Sequence, residues 1–146
     1  MKNILLEEHI QLKKAVADWE ESIQIAAQPL LDEQYFNQQY VDEMIKSVHD
    51  MGPYIVIAPE IAIAHARPND NVQRVGLSLL KLEEHINFSD NGHYATLVFV
   101  LSAIDHEAHL EILRQLATIL SNKETVQSLI SAKSKSEIIN LFKEND

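Results

Sequence analysis

The chain has 146 residues, 46% of them apolar and 23% charged, with no cysteine and a formal net charge of −10. This length and composition bound one globular domain over 1–146 with a sizeable core. They exclude disulfides, thiolate metal sites and a cysteine nucleophile, and the acidity argues against nucleic acid or an anionic membrane surface as the main partner, since both need a basic footprint.

No apolar run approaches the roughly 20 residues that cross a bilayer. Met1–Glu8 carries too short an apolar stretch for a signal peptide, so a cytoplasmic location without membrane insertion is expected. The N-terminal third reads as helix. Asp18 caps a segment through Trp19, Ile23, Ala26 and Ala27 that closes at Pro29. A second helical pattern runs through Tyr40, Val41, Met44, Ile45 and Val48 and ends before Gly52-Pro53.

Then the period changes. Tyr54–Ile57 is short and β-branched and reads as a buried strand. Ile61–Ala64 is a second, and Val75–Leu80, running on toward Leu82, a third. Ala95–Leu101 is nearly continuous and hydrophobic, as in a central strand covered on both faces. Leu110, Leu113, Ala117 and Leu120 then repeat at helical spacing. Ser121–Glu124 and Ser134–Glu137 are capping-box patterns that open two more short helices. The order predicts an α/β fold: a three-layer α/β/α sandwich with a mixed, mostly parallel central sheet flanked by helices.

Chemistry concentrates in the histidines. His9, His85 and His93 read as ordinary surface residues. His65 ends a strand where a loop begins, which offers a rigid base and an open approach. Alternation places Ile61, Ile63 and His65 on one side and Ala62, Ala64 and Ala66 on the other. A core histidine with one backbone hydrogen bond fits the same pattern. Ile61, Ile63, Ala64 and Ala66 would leave an apolar rim for a partner. Arg67 can neutralise an anion beside His65, or can be a solvated loop arginine. With Asp105 as N-cap, His109 sits about one turn into a helix, where free N–H groups and the helix dipole suit phosphate. His106 and His109 share a face and could also offer two metal ligands, but the His-Glu-x-x-His signature is absent. A histidine-based hydrolase would need Ser78 or Ser102 as nucleophile, and both lie in strand-like runs without nucleophile-elbow glycines.

The run Gly52-Pro-Tyr-Ile-Val-Ile-Ala-Pro-Glu-Ile-Ala-Ile-Ala-His-Ala-Arg-Pro68, followed by Asp105-His-Glu-Ala-His-Leu-Glu-Ile-Leu-Arg-Gln-Leu-Ala117, resembles the IIA component of the sugar phosphotransferase system, in the mannitol–fructose superfamily. The ascorbate-type subfamily is the most similar, and Asp18-Trp19, Pro29-Leu30 and Tyr40–Ile45 fit it as well. The resemblance implies an α/β sandwich and a phosphoryl relay. A histidine takes phosphate from the phosphocarrier HPr and passes it to a IIB component, which serves a membrane IIC transporter. By motif position the acceptor is His65 and the phosphate-stabilising histidine is His109, with Arg67 and His49 as candidate supporting residues. No metal or cofactor is implied, and no Gly-rich nucleotide loop is present. The competing implication is a regulatory IIA-type module whose phosphorylation state selects protein partners. The family commonly has Gly where Glu60 stands and Pro where Ala64 stands, and mannitol-type members carry arginine near His49. Glu60 is expected to bring negative charge near the anionic intermediate.

Overall fold

The computed structural model describes residues 4–145. Ten elements follow in order: β1 Leu5–Lys13, α1 Trp19–Asp32, α2 Gln38–Met51, β2 Val56–Ala58, β3 Glu60–Ala64, β4 Gly76–Asn87, β5 Tyr94–Ser102, α3 His106–Leu120, α4 Lys123–Ser131 and α5 Lys135–Glu144. The strands form one sheet in the order β1-β4-β5-β3-β2. The β1–β4 and β3–β5 pairs are parallel, and the β4–β5 and β2–β3 pairs are antiparallel. The sheet is therefore mixed in equal parts rather than mostly parallel.

Both faces of β5 are covered, as its hydrophobic run requires. Val98 and Val100 pack with Ala62, Ala64 and Leu80 under Ile23, Ala27, Leu30, Tyr40 and Met44 of α1 and α2. Leu97, Phe99 and Leu101 pack with Ile61, Ile63 and Leu79 under Ile112, Leu116, Leu129, Ile138 and Phe142 of α3 to α5. The sandwich thus has three layers.

The start of the chain differs from the helical expectation. Leu5–Lys13 is an edge strand parallel to β4, and its register shifts between Leu5 and Ile10. That irregularity buries His9 and Ile10 side by side and hides the period of two. His9 is accordingly no surface residue: it is fully buried, its Nε2 lies 2.8 Å from Glu33, and Tyr35 packs edge-on against it. His85 is exposed on β4, in keeping with a surface residue.

Helix α1 passes through Pro29 and ends at Asp32. Proline removes the N–H that would meet the carbonyl four residues earlier. Here Gln11 of β1 donates its side-chain amide to that Ile25 carbonyl, 2.5 Å away. Strand β2 starts two residues later than expected, because Gly52 (φ 84°) and a turn closed from Tyr54 N–H to the Gly52 carbonyl come first. Asn122 rather than Ser121 caps α4, while Asp18, Asp105 and Ser134 cap α1, α3 and α5.

Candidate functional site

Strands β3 and β5 are parallel neighbours, with Ala64 opposite Val100. Their C-terminal ends therefore reach the same edge of the sheet. The residue after β3 is His65, and the turn after β5 leads to Asp105 and α3. Asp105 accepts the Ala108 N–H at 2.8 Å, which places His109 one turn into the helix. The two rings meet with centroids 5.1 Å apart at 62°.

His65 Nδ1 lies 2.8 Å from the Ile63 carbonyl. A carbonyl oxygen only accepts, so Nδ1 carries the proton and donates it, and Nε2 keeps its lone pair. Burial lowers the pKa of His65, and the Ile63 hydrogen bond opposes that shift in part. Burial also lowers the pKa of His109, reinforced by the nearby charges of His65 and His106. Nδ1 of His109 is buried without a hydrogen-bond partner among the described residues.

Two tyrosines hold the peptide bond that follows His65. The Tyr54 hydroxyl donates to the His65 carbonyl at 3.0 Å, and its ring stands edge-on to the imidazole, 5.5 Å away at 86°. The Ala66 N–H donates to the Tyr40 hydroxyl at 3.2 Å. Tyr40 in turn donates to the Leu101 carbonyl at 2.8 Å, at the end of β5. Burial pushes the Tyr40 pKa up to about 12, so the phenol stays protonated.

Around His65 lies a depression of about 510 Å³ lined by Lys46, Met51, Tyr54, Arg67, His106 and His109, with the carboxylates Glu43 and Asp50 on the α2 side. Lys46 pairs with Asp50 at 2.6 Å. Arg67 is exposed and makes no ion pair among the described residues. Glu43 accepts from the Asn69 and Asn71 side chains at 2.7 and 2.8 Å, which ties the loop after Arg67 to α2. The wall thus offers an unpaired guanidinium and two further imidazoles to an anion beside Nε2 of His65.

The structure brings His65, His109 and Arg67 together and leaves His49 out. His49 turns to the other side of α2, where it stacks on Trp19 at 4.8 Å and meets Glu20 at 3.3 Å. Lys46 is the α2 cation that faces the depression. The expected apolar rim is also absent, since Ile61, Ile63, Ala64 and Ala66 are buried. The exposed apolar groups nearby are Met51 and Tyr54 in the depression, with Ile104 and Leu110 flanking the start of α3. Ser78 and Ser102 donate to the Ala26 and Arg74 carbonyls and are not aimed at His65.

Glu60 adopts φ 77°, a left-handed conformation that favours glycine. It starts β3, five residues before His65, so roughly 16 Å of strand separates them. Its carboxylate accepts from Thr96 at 3.2 Å. The expected approach of this charge to the anion does not occur; Glu60 stands at the opposite end of the strand.

Residues 3–145 match the family described as phosphoenolpyruvate-dependent sugar phosphotransferase system, EIIA 2. The chain belongs to this family. Type-2 IIA components are phosphotransferase relay proteins, and the fold and histidine pair fit that membership. The mannitol-specific cryptic phosphotransferase enzyme IIA component of Escherichia coli K12 is 30% identical over 136 residues, covering 93% of this chain and 92% of that protein. The ascorbate-specific PTS system EIIA component of Mycoplasma pneumoniae is 31% identical over 131 residues, covering 88% and 82%. The solution structure of the E. coli mannitol-specific cryptic enzyme IIA superposes with a TM-score of 0.89 at 29% identity, covering 97% of both chains. No helix among the described residues is long and apolar enough to cross a membrane.

Sequence reasoning missed Tyr40, Tyr54 and Lys46 as site residues. Lys46 had a signal: Glu43, Lys46, Ser47, Asp50 and Met51 recur at three and four residues, a stripe opposite the buried Val41, Met44 and Val48. The tyrosines had none, because both read as part of apolar patterns.

Proposed function

We propose that the chain carries a phosphoryl group on Nε2 of His65, taken from phospho-HPr and handed to a IIB component that serves a membrane IIC transporter, with 1–146 acting as one cytoplasmic domain. The observation that carries this reading is the bond between His65 Nδ1–H and the Ile63 carbonyl. It fixes one tautomer and points the free lone pair at the open depression.

Depressing the pKa of His65 keeps the imidazole neutral at cytoplasmic pH, as a nucleophile must be. As the Nε2–P bond forms, the bond from phosphorus to its donor breaks, and the proton stays on Nδ1, hydrogen-bonded to the Ile63 carbonyl. The transition state asks mainly for in-line positioning and for stabilisation of charge on the equatorial oxygens. The rings of Tyr54 and His109, both packed edge-on against the His65 imidazole, limit its rotation. Arg67 and the N-terminal dipole of α3 supply the positive field, and His109, its pKa lowered by burial, adds a hydrogen-bond donor rather than a charge. No metal or cofactor is needed for this chemistry. The flanking sequence of the histidine motif favours an ascorbate-like sugar as the final acceptor of the relay.

The test is reconstitution with HPr, its kinase and phosphoenolpyruvate, followed by mapping of the label. His65→Ala should fold normally and take no phosphate. Undiminished label in that variant overturns the assignment.

A further inference from the structure

A second concentration of positive charge lies away from His65. Lys13 and Lys14 at the end of β1, Lys81 in β4 and Lys133 between α4 and α5 line a cavity of about 230 Å³, with Glu83 on the same wall. Four of the chain's 12 lysines and arginines thus converge on one place in a protein with 22 carboxylates. None of the four makes an ion pair or a side-chain hydrogen bond among the described residues.

Lys81 is the informative member. It continues the β4 row of Leu77 and Leu79, both fully buried, and is itself only 8% exposed. What remains exposed opens into this cavity. Burial and, next, the charge of Lys133 push its ammonium below the usual lysine range, while Glu83 and Glu137 act in the opposite direction. The Lys81 stem packs in the core while its ammonium opens into the cavity, and no ion pair among the described residues holds that charge in place. Four cations face two carboxylates, Glu83 and Glu137, which leaves an excess of positive charge suited to an anion from solution.

We propose that this cavity binds a small phosphate-bearing anion through Lys13, Lys14, Lys81 and Lys133. Lysine binds phosphate as a point charge and needs no planar fork. The volume lies below the roughly 300–1,000 Å³ typical of drug-sized ligands, which favours a phosphate ion or a small monoester over a nucleotide. The site is separate from the relay histidine. Lys81 pairs with Leu97, and Leu97 with Ile61, so it lies two strands across and four residues short of His65, roughly 15 Å away. The anion would join three segments: the end of β1, the middle of β4 and the α4–α5 connection.

The experiment is amide chemical-shift mapping of the full chain during titration at constant ionic strength. One arm uses inorganic phosphate, one glycerol 3-phosphate and one sodium chloride. Saturable shifts are expected at Lys14, Lys81, Lys133 and their neighbours in a phosphate-containing arm, separate from any at His65 and His109. A tenfold preference for the ester assigns a phosphorylated metabolite, and equal affinity assigns the phosphate group alone. Lys81→Met should weaken binding at least tenfold and leave the response at His65 unchanged. The exposed Lys133→Met gives a second reading that leaves the core untouched. Equal shifts with chloride, no saturable shift in either phosphate arm, or full affinity in both variants overturns the proposal.

Discussion

Replacing Tyr40 by Phe removes one oxygen atom and tests how the corner is held. The hydroxyl accepts from Ala66 N–H and donates to the Leu101 carbonyl, and both backbone groups are buried. An orphaned buried N–H costs about 1–3 kcal/mol, and the lost bond to the carbonyl about 0.5–1.5 kcal/mol more. The expected loss of stability is therefore about 3 kcal/mol, which for a chain of this size is a fall in Tm of roughly 10 °C. The same hydroxyl links the residue after His65 to the strand that leads into α3, so it sets the spacing of the two histidines. Urea unfolding of Tyr40→Phe gives the first quantity, and the rate of label transfer from phospho-HPr gives the second. Tyr54→Phe is the control: its hydrogen bond to the His65 carbonyl is accessible to water, so its loss should cost under about 1 kcal/mol. A Tyr40→Phe loss below about 0.5 kcal/mol, with unchanged transfer, would refute the claim that this hydroxyl holds the corner.

His109→Ala should still become labelled at His65, but about 10²–10³ more slowly, the usual cost of one preorganised donor; wild-type rates in a single-turnover assay would remove His109 from the mechanism. Glu60→Gly relieves a left-handed backbone at the loss of one bond to Thr96, so denaturant unfolding should show a gain of about 0.5–1 kcal/mol with phosphoryl transfer unchanged. Both His65 and His109 have folded pKa values below the ordinary histidine value. Protons then bind the unfolded chain more readily, so stability is full above about pH 6.5 and falls as pH drops toward the folded values. Urea midpoints from pH 8 to 5 should show that fall, and His109→Gln should reduce it; an equal slope in the variant would place the acid sensitivity elsewhere. The net charge of −10 predicts that salt raises the apparent Michaelis constant for phospho-HPr by slowing association, with the Debye length about 8 Å at physiological ionic strength. The salt-insensitive remainder should fall on Met51→Ala and Leu110→Ala, and a flat salt response would make the acidity a matter of solubility.

What the sequence shows of this site follows from distance along the chain. The strand end at His65 and the cap at Asp105 are local signals, and both are found in place. Alternation through Ile61 and Ile63 gives the side on which His65 emerges, but the same alternation buries those isoleucines and so removes them as a docking rim. Pro29 reads locally as a stop, and only the amide of Gln11, on another element, lets the helix continue. Tyr40 reaches Leu101 across 61 positions, a contact no local pattern encodes. The edge strand β1 is hidden because its shifted register spoils the period by which strands are recognised.

The parallel pairing of β1 with β4 also has a kinetic side. Strands β4 and β5 meet through a short turn at Phe88–His93, whereas Ile10 meets Leu79 only after roughly 70 residues of chain have closed on themselves. Each doubling of such a loop adds about 0.6 kcal/mol of closure entropy, so β1 joins the sheet at the greatest entropic disadvantage. An edge strand held this way is the natural first part of the sheet to open. Opening it leaves the His65–His109 corner standing, since that corner is built from α2, the ends of β3 and β5 and the start of α3, but it dismantles the lysine-lined cavity. Amide hydrogen exchange along Leu5–Lys13 therefore reports on that cavity's occupancy: an anion bound there slows exchange in β1 while exchange around His65 stays the same.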